Sequence, residues 1–173
     1  ACSAGISSLG ASANDNCGVD TFGGIRSDAK PLSEPFPVGT TTITWTATDI
    51  HENTSSATQT VTVTDHELPV ITTADHTVSN DLGVCSAVVT LGATASDNCG
   101  IASLVGTRDD GLPLSDAFPK KTTTVSWLAT DIHGNTATAT QHVTVNDTEN
   151  PTVSAPAALN LTQTTGSVSV AAG

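Results

Sequence analysis

The residues of this chain most able to do chemistry are carboxylates set at regular intervals in short polar turns. Asp65, Glu67 and Pro69 form an Asp-x-Glu-x-Pro sequence, and Asp147, Glu149 and Pro151 form a second. Carboxylates two residues apart in an extended segment project to the same side, and a proline keeps the residue before it extended. Asp15 and Asp97 each open an Asp-Asn-Cys-Gly turn, and Asp49 and Asp131 each open Asp-Ile-His-x-Asn. Hard oxygen donors from several turns suit Ca²⁺, which takes about 6–8 oxygens in flexible geometry, whereas Mg²⁺ retains more of its water. The candidate metal ligands are therefore Asp65, Glu67, Asp97, Asn98, Asp131, Asn135, Asp147, Glu149, Asp15 and Asp49, with Ca²⁺ expected at junctions between modules. Asp and Asn are also good turn formers in their own right. That bland reading explains Glu67 and Glu149 least, because a turn does not call for Glu at this spacing before Pro. There is no EF-hand spacing, and which turns share one end of a module is left open.

The four cysteines fall as Cys2, Cys17, Cys85 and Cys99. Two per repeat favours the local pairs Cys2–Cys17 and Cys85–Cys99, with free thiols or metal ligation as the alternatives. No Cys/His set has the spacing of a zinc site. Paired cysteines point to an oxidising, extracellular setting. Fourteen extended residues span roughly 45 Å, while bridged Cα atoms lie about 4.4–6.8 Å apart. A local bridge thus predicts a chain reversal around residues 92–96.

Catalysis finds little footing. There is no Gly-x-Ser-x-Gly, His-Glu-x-x-His or glycine-rich phosphate loop. His51 and His133 stand beside Asp49 and Asp131 at matching positions, which reads as a repeated structural turn. No catalytic residue and no enzymatic activity are assigned. Asn53, Asn146 and Asn160 begin Asn-x-Ser/Thr triplets that a glycosylating host could use.

The elements that carry these turns repeat. Trp45-Thr-Ala-Thr-Asp49-Ile-His-Glu-Asn53 returns as Trp127-Leu-Ala-Thr-Asp131-Ile-His-Gly-Asn135, 82 residues later. The pairs Pro31/Pro113, Phe36/Phe118, Val61/Val143 and Pro69/Pro151 share that spacing, and Cys2 and Cys85 are 83 apart. Repeats of this kind define the units before any finer reading. The predicted division is residues 1–66, a module lacking its first strand; 67–148, a complete module; and 149–173, the opening strands of a third module or a donor strand. Ser167 stands where that third module would carry its cysteine.

Thr is the commonest residue, and β-branched Thr and Val suit a pleated surface. Apolar residues alternate with Thr around Val125, Trp127, Val143 and Val145, the pattern of strands buried on one face. Short strands between Asp/Asn/Gly/Pro turns predict an all-β chain of tandem Ig-like antiparallel β-sandwiches. Trp45 and Trp127 read as core residues. His133-Gly134-Asn135 predicts a tight hairpin with positive φ. Glu52 replaces the glycine in the first copy, so that turn is expected to differ or to rely on Asn53.

The chain has 173 residues, a formal charge of −12, and only five Lys and Arg. No basic patch can neutralise phosphates, which excludes nucleic acid as a partner. The same charge disfavours anionic membranes, and no apolar run reaches the ~20 residues of a span, so membrane insertion is not expected. An acidic surface attracts cations and keeps modules apart in solution. No signal peptide is read, and the first residue falls inside a repeat, as in an excised piece of a longer chain.

Taken together, Asp97–Gly100 after Cys85, Phe36-Pro37-Val38-Gly39-Thr40, Thr48-Asp49 with Asn53, Asp131 with Asn135, and Val143 to Pro151 resemble the hyalin-repeat (HYR) modules of secreted and cell-surface proteins. The resemblance implies tandem Ig-like sandwiches with adhesive or spacer roles, of the kind frequent in bacterial surface adhesins. Lys120-Lys121 in place of Val38-Gly39 departs from the pattern. The leading expectation is a rigid extracellular stalk or filament, each module contacting its neighbours. The first alternative is a fibre subunit that polymerises head to tail by donating residues 149–173 to an identical chain. A carbohydrate-binding or enzyme-accessory module ranks lower, because few aromatics are present to stack on sugar. A surface polysaccharide or host ligand is expected only elsewhere in a parent chain.

Overall fold

The computed structural model describes residues 2–158 and Gly166. Among them the chain is all β, with no helix. The first strands are β1 (Ser3–Ala4), β2 (Val19–Arg26), β3 (Phe36–Pro37), β4 (Gly39–Asp49) and β5 (Thr54–Val63). There follow β6 (Val70–Thr72), β7 (His76–Ser79), β8 (Ser86–Ala87), β9 (Thr94–Ser96), β10 (Ile101–Arg108), β11 (Phe118–Pro119), β12 (Thr122–Asp131) and β13 (Thr136–Asn146). Most of residues 149–173 lie outside the described residues, including Asn160 and Ser167, and residues 149–158 form no strand.

The strands group by sequence. β2-β4-β5 form one antiparallel sheet with the β1-β3 pair beside it, and β10-β12-β13-β7 form the second sheet, accompanied by β8-β11 and β6-β9. Residues 82 apart occupy the same place in each: Val19 pairs with Asp49 and Ile101 with Asp131, each followed by the same register shift. Each group thus repeats the other's strand pairing. β7 departs from the antiparallel expectation, running parallel to β13 with Val143 opposite His76. Parallel pairing needs a long crossover, which residues 80–135 supply. No described strand covers the equivalent edge of β5.

Strand period sets the core. In β12 the buried residues are Thr123, Val125, Trp127, Ala129 and Asp131, every second position. They meet Val143 and Val145 of β13, together with Ala87 and Phe118. The first copy has a thinner core of Phe36, Ile43 and Val61, with Trp45 only half-buried. Burying a side chain of that size contributes about 1.5–3 kcal/mol, so the first copy has less to hold it together.

Polar anchors repeat as well. Trp127 Nε1 donates to Gln141 Oε1 at 3.0 Å, and Gln141 Nε2 donates to the Ala74 carbonyl at 2.6 Å. Trp45, Gln59 and Leu9 repeat the chain of contacts. A Cβ on Gly106 would sit 2.7 Å from the Trp127 ring and one on Gly24 would sit 2.8 Å from Trp45, so glycine is what lets each indole lie flat on its neighbouring strand. Arg26 and Arg108 are buried, each over a phenylalanine (Phe36 and Phe118) and paired to an aspartate two residues on (Asp28 and Asp110). Arg108 also donates to the carbonyls of Pro113 and Asp116, tying down the loop that precedes β11.

Glu52 itself adopts φ 68°, so the first hairpin closes as the second does at Gly134, φ 90°. Of the two alternatives expected for that turn, the structure shows the reliance on Asn53: Asp49 Oδ1 accepts the N–H groups of His51 and Asn53, Oδ2 accepts Asn53 Nδ2, and these bonds outweigh the strain at Glu52. The reversal expected between Cys85 and Cys99 fails. β8 begins beside Pro119, at the start of β12, whereas Ile101 pairs with Asp131, at its end. A ten-residue strand is about 30 Å long, so these two cysteines lie at opposite ends of their sandwich.

Candidate cation site at the junction

The segment after β5 carries the first Asp-x-Glu-x-Pro sequence across to the turns at the near end of the second copy. The Asp65 side chain is 4% exposed, and its Oδ2 lies 3.1 Å from Nδ1 of His133. The Asp65 carbonyl accepts from Asn135 Nδ2 at 3.3 Å, and Asp65 Oδ1 accepts the Glu67 N–H at 3.2 Å. Glu67 Oε2 accepts from Asn98 Nδ2. Asp65, Glu67, Asp97, Asn98, Asp131 and Asn135, six of the ten candidate ligands, are thus brought to one place.

Their roles differ. Asp131 Oδ1 accepts the N–H groups of His133 and Asn135, both at 2.8 Å, and Oδ2 accepts Asn135 Nδ2 at 2.7 Å. Burial works to raise the Asp131 pKa, but the hydrogen bonds from Asn135, His133 and Gly134 outweigh it, and the carboxyl is held below its ordinary value. Asp131 and Asn135 therefore lock the hairpin. Asp97 is locked on one side only: Oδ1 accepts the N–H groups of Cys99 and Gly100 at 2.8 and 3.3 Å, while Oδ2 is buried with no hydrogen-bond partner. A buried carboxylate oxygen left unpaired is costly, and a cation would satisfy it.

Ligand atoms of Asp65, Asp131 and His133 lie within 4.8 Å of one another, as do those of Asp65, Asp97 and Cys99. Oxygens held 2.3–2.6 Å from one Ca²⁺ lie at most about 5 Å apart, so Asp65 is close enough to share one hard ion with Asp131, and close enough to share one with Asp97. Cys99 offers no thiolate, because it is bonded to Cys2.

That bond corrects the expected pairing. The structure joins Cys2 to Cys99, with S–S 2.14 Å, and leaves Cys17 and Cys85 free and exposed, in place of Cys2–Cys17 and Cys85–Cys99. The physical reason is the length of the sandwich. The Cys2 carbonyl accepts from Val38 at the start of β4, and Gly18, next to Cys17, accepts from Ile50 at its end. The two cysteines of each copy are held apart by a full strand, and Cys2 with the segment after β5 meets the Cys99 turn and the β12–β13 hairpin.

The remaining candidates sit elsewhere. Asp15 and Asp49 lie together with Asn53 at the far end of the first copy. There Asn53 and its hydrogen bonds hold the Asp49 carboxyl below its ordinary value. Asp147 and Glu149 lie at the far end of the second, where Asp147 Oδ2 pairs with Lys120 at 3.2 Å and Glu149 accepts the Gly83 N–H. The repeat therefore places a turn cluster at one outer end and an acidic pair at the other. His133, read from the sequence as part of a structural turn, also reaches Asp65, and reading carboxylates alone missed the buried arginines. The arginine signal was present: Arg26 and Arg108 are two of only five basic residues, each followed two positions later by Asp.

Fold and link together define an all-β, Ig-like sandwich protein whose polar turns gather carboxylates where one copy of the pattern meets the next. In sequence it is hyalin-like. It is 39% identical over 132 residues to hyalin of Strongylocentrotus purpuratus, covering 70% of this chain and 10% of that protein. It is 35% identical over 151 residues to hyalin of Lytechinus variegatus, covering 82% and 27%. The chain thus spans between a tenth and about a quarter of the curated relatives it matches. No protein-family model matches it. A crystal structure of human protocadherin-24 EC1-2 aligns with 79% of this chain and 85% of that one, at 14% identity and a TM-score of 0.33, a likeness too slight to carry an argument.

Proposed function

We propose that the chain is part of a rigid, extracellular, adhesion-related structural protein. Its sandwich units, residues 1–66 and 67–148, stack end to end, and each junction is clamped by a disulfide and by Ca²⁺. The observation that carries this reading is the meeting of Asp65, at the end of the first unit, and Glu67, at the start of the second, with Asn98, His133 and Asn135 of the second, beside Asp97 and Asp131. Asp65, Glu67 and Asp97 would supply carboxylate oxygens to the ion, and Asn98 its amide oxygen. Bound there, the ion would neutralise three converging carboxylates that otherwise repel one another across the junction. Extracellular placement is supported by the disulfide, because such bonds persist in oxidising compartments, and by the likeness to hyalin.

Small-angle scattering in Ca²⁺, in chelator and in reductant tests the reading. Expected is one narrow distribution of interatomic distances with Ca²⁺ and the bridge intact. It should broaden when the ion is removed and broaden further on reduction. Identical profiles in all three buffers would mean that neither the ion nor the bridge stiffens the pair.

A second reading has its own observation. The β13 edge is covered by β7, whereas the matching β5 edge is bare among the described residues. An uncovered edge can accept a strand from another copy, and residues 149–173 would be that strand. Such assembly needs no thiol chemistry. It predicts concentration-dependent oligomers in light scattering under reducing conditions, and a monomer at all concentrations would rule it out.

A further inference from the structure

Cys17 and Cys85 are the two cysteines that the junction leaves unused, and the repeat gives each a bonded counterpart. Cys85 occupies the place of Cys2: its carbonyl accepts the Lys120 N–H at 2.9 Å, as the Cys2 carbonyl accepts that of Val38 at 3.4 Å. Cys17 occupies the place of Cys99: its N–H donates to Asp15 Oδ1 at 2.7 Å, as that of Cys99 donates to Asp97 Oδ1 at 2.8 Å. The counterparts Cys2 and Cys99 are bonded to each other across the junction. Cys17 and Cys85 face outward at opposite ends of the pair, and both are exposed.

The groups around them repeat too. Cys85 lies in a cleft with Asp147, Glu149 and Pro151, the same acidic sequence that Asp65, Glu67 and Pro69 bring to the junction. Near Cys17, Asp15, Asp49 and Asn53 share a cleft, repeating Asp97, Asp131 and Asn135. Each outer end is therefore one half of the junction already seen inside, both in its thiol and in its oxygen donors.

We propose that Cys85 and Cys17 are heterotypic bridging sites, each bonding a further copy of this repeat unit: Cys85 of one unit joins the Cys17 position of the next. The result is a ladder with one inter-unit disulfide at every junction. Formation needs an oxidant, here a small-molecule disulfide. The Cys85 thiolate attacks it, forming a mixed disulfide and releasing one thiol. The Cys17 thiolate of the second copy then attacks the Cys85 sulfur and expels the second thiol. Two protein thiols are oxidised and one small disulfide is reduced to two thiols. This inference rests on the end-to-end reading above.

The test mixes equal amounts of the Cys17→Ser and Cys85→Ser chains in an oxidised/reduced glutathione buffer and quantifies bridges by non-reducing peptide mapping. Expected is a Cys85–Cys17 bond in excess of the twofold advantage over each homotypic bond that random pairing gives. The unmodified chain should form a ladder, whereas each variant alone should stop at dimers. Random proportions, or monomers throughout with Cys2–Cys99 intact, would overturn the proposal and leave the end-to-end reading standing. Recovery of Cys2–Cys17 and Cys85–Cys99 in the unmodified chain would overturn both.

Discussion

Cys2 and Cys99 are bonded to each other although 97 residues separate them in the chain. Between them lie β1 to β9, so the bond fastens the strands around β4 to the turn that leads into β10. Its position fixes which turns meet, and hence which carboxylates converge. Asp65 can reach His133 only because the end of β5 is held against the turn after β12.

Reduction of this bridge should weaken the first unit more than the second. In the chain-entropy account a loop near 100 residues is worth up to about 4.7 kcal/mol, and the first unit has the smaller core. Thermal unfolding followed separately at Trp45 and Trp127 should show one transition when oxidised. When reduced it should show two, with Trp45 unfolding first. Simultaneous unfolding in both states would show that the bridge does not couple the units.

Gln141 bonds two groups at once, the buried Trp127 N–H and the carbonyl of the exposed Ala74. Gln141→Ala removes both bonds and should cost about 1–3 kcal/mol, the cost of orphaning the buried N–H. Urea unfolding of the variant reads the loss directly. A change under ~1 kcal/mol would mean that the surrounding structure relaxes to satisfy that N–H.

Gly106→Ala tests the contact between β10 and the indole. The added Cβ would sit 2.7 Å from Trp127 and 2.9 Å from Leu114, and overpacking of that kind costs about 1–3 kcal/mol. The neighbouring Thr107→Ala, on an open face, serves as the control and should stay within about 0.5 kcal/mol of the parent.

Much of this was legible in the sequence. The 82-residue repeat placed the β2-β4-β5 and β10-β12-β13 ladders in matching positions, though not β6-β9 or the parallel β7, and the alternation around Trp127 gave the inward face of β12 correctly. The acidic turns were recognised as a group because their residue types were right. The cysteine pairing was not legible: residues 14 apart look local until the strand that separates them has a length and a direction. For the same reason the sequence could list Asp15, Asp49, Asp147 and Glu149 with the junction residues but could not see that they belong to the outer ends. Glu52 at positive φ was also hidden, since the force that holds it comes from the Asp49 side chain three residues back.

Acid should loosen the hairpin turns. Hydrogen bonds hold Asp49 and Asp131 below the ordinary carboxylate value in the folded chain. A group depressed by folding stabilises the fold above its unfolded pKa, and that contribution is lost as pH falls through the folded value. Stability should therefore be level near neutrality and fall below about pH 4, and Asp131→Asn should flatten part of that fall. A urea midpoint unchanged between pH 7 and pH 3 would contradict the assignment.

Asp97→Asn separates the two roles of that side chain. The amide oxygen can still accept from Cys99 and Gly100, so the turn should survive, while the buried anionic oxygen that would face an ion is gone. The parent chain should gain melting temperature in Ca²⁺ and lose it in chelator, and the variant should do neither. A variant that responds to Ca²⁺ as the parent does would remove Asp97 from the site.

Peptide mapping of the oxidised, unreduced protein bears most directly on the claim that these sandwiches are joined end to end. The predicted result is a covalent link between the peptide containing Cys2 and the peptide containing Cys99, with Cys17 and Cys85 open to alkylation. Links from Cys2 to Cys17 and from Cys85 to Cys99 would contradict it, because each unit would then be closed on itself and nothing covalent would hold the junction.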